Sequence, residues 1–278
     1  MKELQKIVIN DVTDLDLTHT FECGQCFRWT PSGGSYAGAA GDKAARISLE
    51  DGTLTIEATG GDEEFWRNYF DLGTDYGEIK RTLAAGEPRI EAACSYGCGI
   101  RILNQDPFET IISFIISQNN NIPRIRKNIE SICRKYGSPI EGSEAVRGDG
   151  EPVYSFPAPE ALASAEVSDL ADLRLGYRSE YIKASAERYL CEGCPDCREG
   201  LLAFHGIGPK VANCIMLFGL RDTAAFPVDT WVKQIMNDMY GFEMSDVKGM
   251  QAFAAERFGP LAGYAQQYLF YYYRDRNK

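Results

Sequence analysis

The chain has 278 residues, of which 44% are hydrophobic and 25% charged. These ordinary values exclude a disordered or fibrous chain. The formal net charge of −11 argues against unspecific binding to nucleic acid or anionic membranes. No apolar run approaches the roughly 20 residues that cross a bilayer, and the N-terminus lacks the apolar core of a signal peptide. The sequence therefore predicts a cytoplasmic protein with no membrane contact.

The acidic excess is concentrated in the first part of the chain. Residues 1–100 carry 9 basic and 17 acidic side chains, whereas residues 121–136 carry five basic side chains and one acidic one. Such a basic cluster is typical of a solvated helix face. It could equally hold phosphates, because charges beyond a Debye length of about 8–10 Å are screened. The net charge therefore does not decide whether the protein binds nucleic acid.

Nine cysteines occur without an export signal, so we expect reduced thiols. Two groups are closely spaced: Cys23 with Cys26, and Cys191 with Cys194 and Cys197. Either group could be redox-active or supply thiolates to zinc. No second pair with zinc-ribbon spacing follows, and the two histidines lie in unrelated segments. The sequence therefore predicts no metal site.

The predicted elements change in character along the chain. Residues 6–60 have the pattern of β-strands, and the Asp51-Gly52 dipeptide predicts a two-residue hairpin. From about residue 62 the apolar period is helical. We therefore predict an α+β fold, with an N-terminal antiparallel, mostly β domain over residues 1–100 and a mostly α-helical domain over residues 101–278.

The helical part begins with clear local signals. Asp106 is a suitable N-cap, Pro107 suits the first helical position, and Glu109 completes a capping box. Pro123 then opens a basic helix that Gly137 ends. Further helices are predicted at residues 159–173, 178–191, 209–218, 229–240, 246–258 and 260–273.

Residues 201–229 carry the strongest chemical signal. A short helix is followed by His-Gly-Ile-Gly and then by Pro209, which starts another helix. Gly206 and Gly208 allow a tight turn and a close approach of the backbone to another molecule. Free amides at the new helix start can hold a phosphate without side-chain charge. A plain helix-turn-helix would show the same pattern.

Lys210 is the only charged residue of the apolar helix 209–218, and it shares a face with Cys214 and Phe218. Burial and the helix dipole are expected to lower its pKa, which would make it a nucleophile near neutral pH. The alternative is a lysine that extends from a helix end into solvent. Asp229 is placed to cap the following helix, which could be its whole role.

These segments resemble a known family. G-I-G-P-K-V-A followed by P-V-D is similar to the helix-hairpin-helix element and aspartate of the DNA base-excision glycosylases, the HhH-GPD superfamily. The segments CGQCFRW, DPFETIISFIISQNNNIPRI, LGYRSEYI and GPLAGYAQQYLF resemble its 8-oxoguanine DNA glycosylase branch. The matches keep their order over nearly the whole chain.

The resemblance implies an enzyme that excises 8-oxoguanine from double-stranded DNA, opposite cytosine. Lys210 would attack the sugar C1′ of a flipped nucleotide and form a Schiff base that permits strand cleavage by β-elimination. Asp229 would stabilise positive charge on the sugar. Other residues would contact DNA, fill the gap left by the flipped base and hold the partner base. Asn119, Arg124 and Arg178 would contact the orphaned cytosine, and Tyr177 would wedge into the base stack. The other positions that match DNA contacts of the family are Gly206, Gly208 and Trp231.

The resemblance also implies a pocket for the flipped base. The Gly24 carbonyl would accept the N7 hydrogen that distinguishes 8-oxoguanine from guanine, whose N7 is an acceptor. Cys214 and Phe270 would sandwich the ring, and Gln266 would bind its Watson–Crick edge. Phe218 stands in this pocket where relatives carry methionine.

Two positions depart from the family pattern, since His205 replaces a common proline and Trp231 replaces a histidine. The resemblance implies no required cofactor, although carbonyls near Leu202, Phe204 and Ile207 could hold a structural cation. We expect a monomer that acts at the nucleoid of a prokaryote or in the nucleus of a eukaryote.

Two other functions stay open at this point. The first is an alkylated-base glycosylase on the same scaffold, which Lys210 disfavours because those enzymes generally act through water and lack the lysine. The second is a helix-hairpin-helix module that binds DNA without turnover, which Lys210 together with Asp229 disfavours.

Overall fold

The computed structural model describes residues 3–276, and its N-terminal part is a five-stranded antiparallel sheet of order β1-β5-β4-β3-β2. The strands are β1 (Gln5–Ile9), β2 (Thr30–Ser32), β3 (Ser35–Ala40), β4 (Lys43–Glu50) and β5 (Thr53–Ala58). The predicted turn at Asp51-Gly52 is confirmed, because both residues have positive φ, 46° and 75°, as tight hairpins require. Ile47 and Ile56 pair across β4 and β5 and are fully buried.

A short helix, α1 (Leu17–Glu22), interrupts the segment that the sequence predicts as strands. The Asp16 side chain caps it by accepting a hydrogen bond from the His19 amide at 2.8 Å. The strand prediction is wrong here because six residues are too few to show a helical period. α1 is anchored by Phe21, whose ring stacks on Trp29 with centroids 4.8 Å apart.

Helices form most of the remaining chain and confirm the α+β prediction. They are α2 (Glu63–Tyr69), α3 (Tyr76–Ala84), α4 (Pro88–Tyr96), α5 (Pro107–Ser117), α6 (Ile122–Tyr136), α7 (Glu144–Arg147), α8 (Pro159–Ala163), α9 (Val167–Ala171), α10 (Arg178–Glu192), α11 (Arg198–Leu202), α12 (Pro209–Phe218), α13 (Thr230–Tyr240), α14 (Val247–Phe258) and α15 (Ala262–Arg276), with a 3₁₀ turn at Gly259–Leu261 before α15. The predicted Asp106 cap is confirmed by a 2.8 Å hydrogen bond from the Glu109 amide.

The prediction of a single helix over residues 159–173 is wrong. The segment forms α8 and α9, separated by residues 164–166. Ser164 ends α8, since its hydroxyl donates to the Ala161 carbonyl at 3.3 Å, the acceptor that the Ala165 amide would use to continue the helix. Serine side chains compete in this way with the backbone bonds that would continue a helix.

The helix α12 lies inside the helical core and packs against α5 and α11. Ala212, Ile215 and Leu217 are fully buried, so the apolar character seen in the sequence reflects packing on nearly all sides. Lys210, in the first turn, is half-buried at the edge of this core. The packing of α12 therefore fixes the position from which the lysine extends.

The C-terminal helix α15 packs against α4 and α13. Arg274 Nη1 donates to the Glu22 carbonyl at 2.7 Å, which links α15 to the end of α1. The pocket candidates Gln266 and Phe270 lie on this helix. None of the helices within residues 3–276 combines the length and apolar character needed to cross a membrane.

Candidate active site

A cleft of about 430 Å³ opens beside the start of α12, next to the turn at residues 203–208, which we call the hairpin. It is lined by Ser117, Gln118, Asn119, Gly208, Pro209, Lys210, Val211, Val228, Asp229, Thr230 and Lys233. Both predicted catalytic residues, Lys210 and Asp229, thus line one space. Asn119, which the sequence predicts to hold the partner base, lines it too.

Lys210 interacts with a thiol on its own helix. Its ammonium interacts electrostatically with the sulfur of Cys214, one turn further along α12. Its Nζ also lies 5.8 Å from the centroid of the Phe114 ring, which belongs to α5. An ammonium over an aromatic face is weakly attracted by the ring quadrupole. The side chain is therefore directed along the cleft wall and not freely into solvent.

The prediction that the pKa of Lys210 is lowered is wrong for the free protein. The ionisable Cys214 sulfur, and after it the Asp229 carboxylate, raise the pKa of Lys210, and together they outweigh the lowering by burial. Burial in turn raises the pKa of the Cys214 thiol. In the free protein at neutral pH, Lys210 therefore carries its proton and must lose it before it can act as a nucleophile.

Asp229 is the N-cap of α13, and its Oδ1 accepts from the Val232 amide at 2.8 Å. The Trp231 amide also hydrogen-bonds this carboxylate. Burial raises the pKa of Asp229, while these amides and Lys210 oppose that change. The cap uses Oδ1, so the same residue can stabilise the helix and still place negative charge beside Lys210.

Phe114 lies between Lys210 and the predicted pocket residue Phe218. Its ring stacks on Phe218 with centroids 5.5 Å apart and an interplanar angle of 12°. It also meets Phe27 edge-on at 5.8 Å, and Phe27 follows the Cys23–Cys26 segment that contains Gly24. The sequence analysis missed Phe114 because its position in an apolar helix indicates core packing.

Of the five predicted pocket residues, Gly24 and Phe270 lie against each other, and Cys214, Phe218 and Gln266 are buried. Gly24, with φ +83°, lies against Phe270: a Cβ added at Gly24 would be 3.7 Å from Phe270 Cε1. Gln266 Oε1 accepts from Gln267 Nε2 at 2.8 Å and is 4% exposed. Cys214 and Phe218 are 4% and 2% exposed.

The hairpin places Gly206 directly on an aromatic ring. Its φ is +84°, and a Cβ there would lie 2.2 Å from Tyr181 Cδ2, so only glycine fits. The backbone of Gly208, the N-cap of α12, has no heavy atom within 4 Å of an added Cβ. Gly208 therefore leaves open space at the helix N-terminus, where the free amides could meet a phosphate.

The remaining predicted DNA contacts lie beside the hairpin. Asn119, with φ 47°, and Arg124 are exposed at the turn between α5 and α6. Tyr177 is 49% exposed, with its ring 5.4 Å from that of Tyr181. Arg178 differs from these three, since it is only 6% exposed and donates to backbone carbonyls within the protein.

Lys233 is a cleft residue that the sequence analysis missed. It lies one turn after Asp229 on α13, and its amide bonds the Asp229 carbonyl at 2.9 Å. The four-residue spacing to a suspected catalytic carboxylate was the signal that could have identified it. A cation on this wall suits contact with DNA phosphates.

The two cysteine groups differ in environment. Cys23 and Cys26 are buried, whereas Cys191, Cys194 and Cys197 are exposed. Within residues 3–276, no three His, Cys, Asp or Glu side chains come together as metal ligands. In the hairpin, the Phe204 carbonyl accepts from the Ile207 amide at 3.1 Å.

Comparison with known proteins identifies the family. A family model described as the 8-oxoguanine DNA glycosylase N-terminal domain matches residues 7–111. A second one, described as the HhH-GPD superfamily base excision DNA repair protein, matches residues 112–260, more than half of the chain. The chain belongs to the HhH-GPD superfamily. The family prediction made from the sequence is thereby confirmed.

Two similar proteins are named as N-glycosylase/DNA lyases. A probable N-glycosylase/DNA lyase of Methanothermobacter thermautotrophicus is 36% identical over 62% of this chain and 62% of its own length. The N-glycosylase/DNA lyase of Saccharomyces cerevisiae is 39% identical over 51% of this chain and 42% of its own length. The chain thus matches less than two thirds of either relative.

A solved structure covers the whole chain. It is a Clostridium acetobutylicum 8-oxoguanine glycosylase/lyase in complex with double-stranded DNA containing cytosine opposite 8-oxoG. It is 38% identical, covers 100% of this chain and 99% of its own, and superposes with a TM-score of 0.90. The fold, including the N-terminal sheet, is therefore shared over its full extent.

Proposed function

We propose that this protein excises 8-oxoguanine from double-stranded DNA and then nicks the strand at the abasic sugar. The observation that carries the proposal is that Lys210, Asp229 and Asn119 line one cleft. Lys210 also interacts electrostatically with Cys214, a residue of the predicted base pocket. The likeness to a solved 8-oxoguanine glycosylase/lyase over the whole chain supports the choice of lesion and of cytosine as its partner.

In the proposed reaction, the neutral Lys210 amine bonds to C1′ of the flipped nucleotide. The glycosidic bond breaks, and its electron pair and then a proton go to the departing base. Opening of the sugar ring gives a Schiff base between Lys210 and C1′. Loss of a C2′ proton then expels the 3′ phosphate by β-elimination, which nicks the strand. Asp229 stabilises the positive charge that develops on the sugar.

Lys210 supplies the electron pair, Asp229 supplies the negative charge, and water hydrolyses the Schiff base after the strand is nicked, so the proposal requires no cofactor. A structural cation on the hairpin carbonyls stays a prediction. Since the substrate is duplex DNA, we infer that the protein acts in the compartment that holds the genome.

The test is borohydride trapping on a duplex with 8-oxoguanine opposite cytosine. Borohydride reduces a Schiff base to a stable amine, so we expect a covalent protein–DNA complex and release of 8-oxoguanine. Lys210→Gln should abolish both, while far-UV circular dichroism shows a folded chain.

Each alternative gives a distinct result. Base release from alkylated DNA without trapping would favour an alkylated-base glycosylase. Binding of DNA without release of any base would favour a helix-hairpin-helix binding module. Either result overturns the proposal.

A further inference from the structure

One side chain joins the turn after α5 to the hairpin. Gln118 Nε2 donates a hydrogen bond to the Gly206 carbonyl at 3.0 Å, across a sequence separation of 88 residues. Asn119 follows Gln118, and Gly208, which caps the helix of Lys210, follows Gly206 by two residues. We propose that Gln118 is a positioning residue that transmits the fit of the base opposite the lesion to Lys210. The inference rests on the proposed function.

On one side of this bond lie residues 118–121, which we call the 118–121 loop, and Arg178 fixes the backbone of the first two of them. Its Nε donates to the Gln118 carbonyl at 3.1 Å, and its Nη2 donates to the same oxygen. The same Nη2 also donates to the Asn119 carbonyl at 3.1 Å. Its Nη1 donates to the Leu175 carbonyl at 3.2 Å. A planar guanidinium with several fixed donors holds these carbonyls in one arrangement. The first two residues of the loop therefore move together.

The loop is also constrained at its other residues. Asn120 Nδ2 donates to the Ile116 carbonyl at 3.1 Å, and Asn121 caps α6 through the Arg124 amide at 3.0 Å. Asn119 is exposed with φ 47°, a left-handed conformation that non-glycine residues seldom adopt. The hydrogen bonds of the neighbouring residues Gln118 and Asn120 thus hold the backbone of Asn119 in an uncommon conformation. A base that binds Asn119 acts on this constrained residue.

On the other side of the bond, the hairpin has little freedom to absorb a displacement. Gly206 lies on the Tyr181 ring, and that ring contacts His205 at 4.8 Å and Tyr177 at 5.4 Å between centroids. A displacement of the 118–121 loop therefore shifts the Gly206 carbonyl and the start of α12. Misplacing a reacting group by about 1 Å can cost about 100-fold in rate.

A purely structural role for Gln118 makes a different prediction. If the bond only stabilises the fold, its loss lowers thermal stability and slows base release from every duplex by the same factor. If the bond couples the opposite base to Lys210, its loss slows base release from the duplex with cytosine much more than base release from the duplex with adenine. The ratio of the two rates separates the two roles.

The experiment measures single-turnover base release from 8-oxoguanine paired with cytosine or with adenine. Gln118→Glu places a carboxylate against the Gly206 carbonyl, and Gln118→Met removes the donor at similar length. For both variants we expect about a 10-fold slower rate with cytosine and a cytosine-to-adenine ratio that falls toward one. Gln251→Glu makes the same chemical change on α14, in a cavity that includes no residue of the hairpin or the 118–121 loop, and should keep the wild-type ratio.

The inference would be overturned if both Gln118 variants fold and keep the wild-type ratio of base-release rates on the cytosine and adenine duplexes, even if both rates fall. A wild-type protein with no preference between the two duplexes would overturn it as well. Failure of the wild type to release 8-oxoguanine or to be trapped by borohydride would instead refute the proposed function. If Gln118→Glu does not fold, Gln118→Met decides alone, since it introduces no buried charge.

Discussion

The catalytic cleft and the predicted base pocket adjoin each other but are in different states in the free protein. The cleft beside Lys210 is an open space of about 430 Å³. The pocket residues are closely packed, with Cys214, Phe218 and Gln266 no more than 4% exposed. Lys210 thus borders open space in the free protein, whereas these three pocket residues are buried. Under the proposed function, a flipped base would displace packed side chains, and this requirement would disfavour bases that gain no specific hydrogen bond in return.

The largest expected effect lies on the cleft side. Asp229→Asn removes the charge beside Lys210, and we expect base release to slow by about 100- to 1000-fold. Asparagine is as good an N-cap as aspartate, so the melting temperature and the DNA dissociation constant should stay close to wild type. Single-turnover kinetics and a binding titration measure these effects.

Asp246→Asn is the matched control for that substitution. Asp246 caps α14 by accepting from the Gly249 amide at 2.9 Å, and it does not line the cleft. Its variant should release base at the wild-type rate. If Asp229→Asn weakened DNA binding as strongly as it slowed release, Asp229 would be a structural cap only.

The next largest effect is expected at Gly24, where a substitution should affect the pocket but not the cleft. Gly24→Ala adds a methyl group against Phe270 at a φ of +83°, so we expect release of 8-oxoguanine to slow about 10- to 100-fold. Borohydride trapping on DNA with a preformed abasic site should be unchanged, because no base enters the pocket.

Gly34→Ala introduces the same backbone strain at φ +84° in the turn between β2 and β3, where nothing lies within 4 Å of the added Cβ. We expect a similar loss of stability, about 1–2 kcal/mol, with no loss of release. Equal loss of both activities in Gly24→Ala would mean that the cleft and the pocket are not separable.

A third prediction concerns the boundary between the two regions, where Cys214 meets Lys210. The rate of trapping on abasic DNA should rise with pH as the ammonium loses its proton. Cys214→Ala removes the first of the groups that raise the pKa of Lys210 and leaves burial, which lowers it. We therefore expect the rising limb of the pH profile to move to lower pH.

Cys133→Ala removes a buried thiol on α6, whose charged neighbours include Arg28 and Glu109 but not Lys210. Its pH profile should match that of the wild type. A Cys214→Ala profile that stays in place or moves to higher pH would contradict the assigned cause of the raised pKa.

The smallest expected effect is at Lys233. If it contacts one phosphate, Lys233→Ala should reduce the slope of log affinity against log salt by about one. Lys248→Ala, on an exposed turn of α14, should leave the slope unchanged. Equal slopes for wild type and Lys233→Ala, from titrations at several salt concentrations, would exclude that contact.

Local signals in the sequence predict local structure well. Asp106 and Pro107 mark the start of α5, and the Asp51-Gly52 turn sets the pairing of β4 with β5. The error over residues 159–173 has a local cause as well, since the apolar period continues where the Ser164 hydroxyl ends the helix.

The site is predictable only in part, because its chemistry depends on contacts between distant segments. The family resemblance points to Lys210 and Asp229, and one cleft contains them. The error in the direction of the Lys210 pKa shift is local, because Cys214 lies one turn away on the same helix and its sulfur acts as an ionisable neighbour and not only as an apolar one. The bond from Gln118 to Gly206 has no signal in the sequence, since either residue by itself fits an ordinary turn.

The bond from Arg274 to the Glu22 carbonyl has a consequence for the order in which the enzyme is completed on the ribosome. The helix that bears Lys210 is synthesised before α15, yet Phe270 reaches Gly24 only when α15 has docked on α1. Under the proposed function, a nascent chain that stops short of α15 would contain the reactive amine without Phe270, a wall of the base pocket. Selectivity for the lesion would then be acquired after the nucleophile is in place.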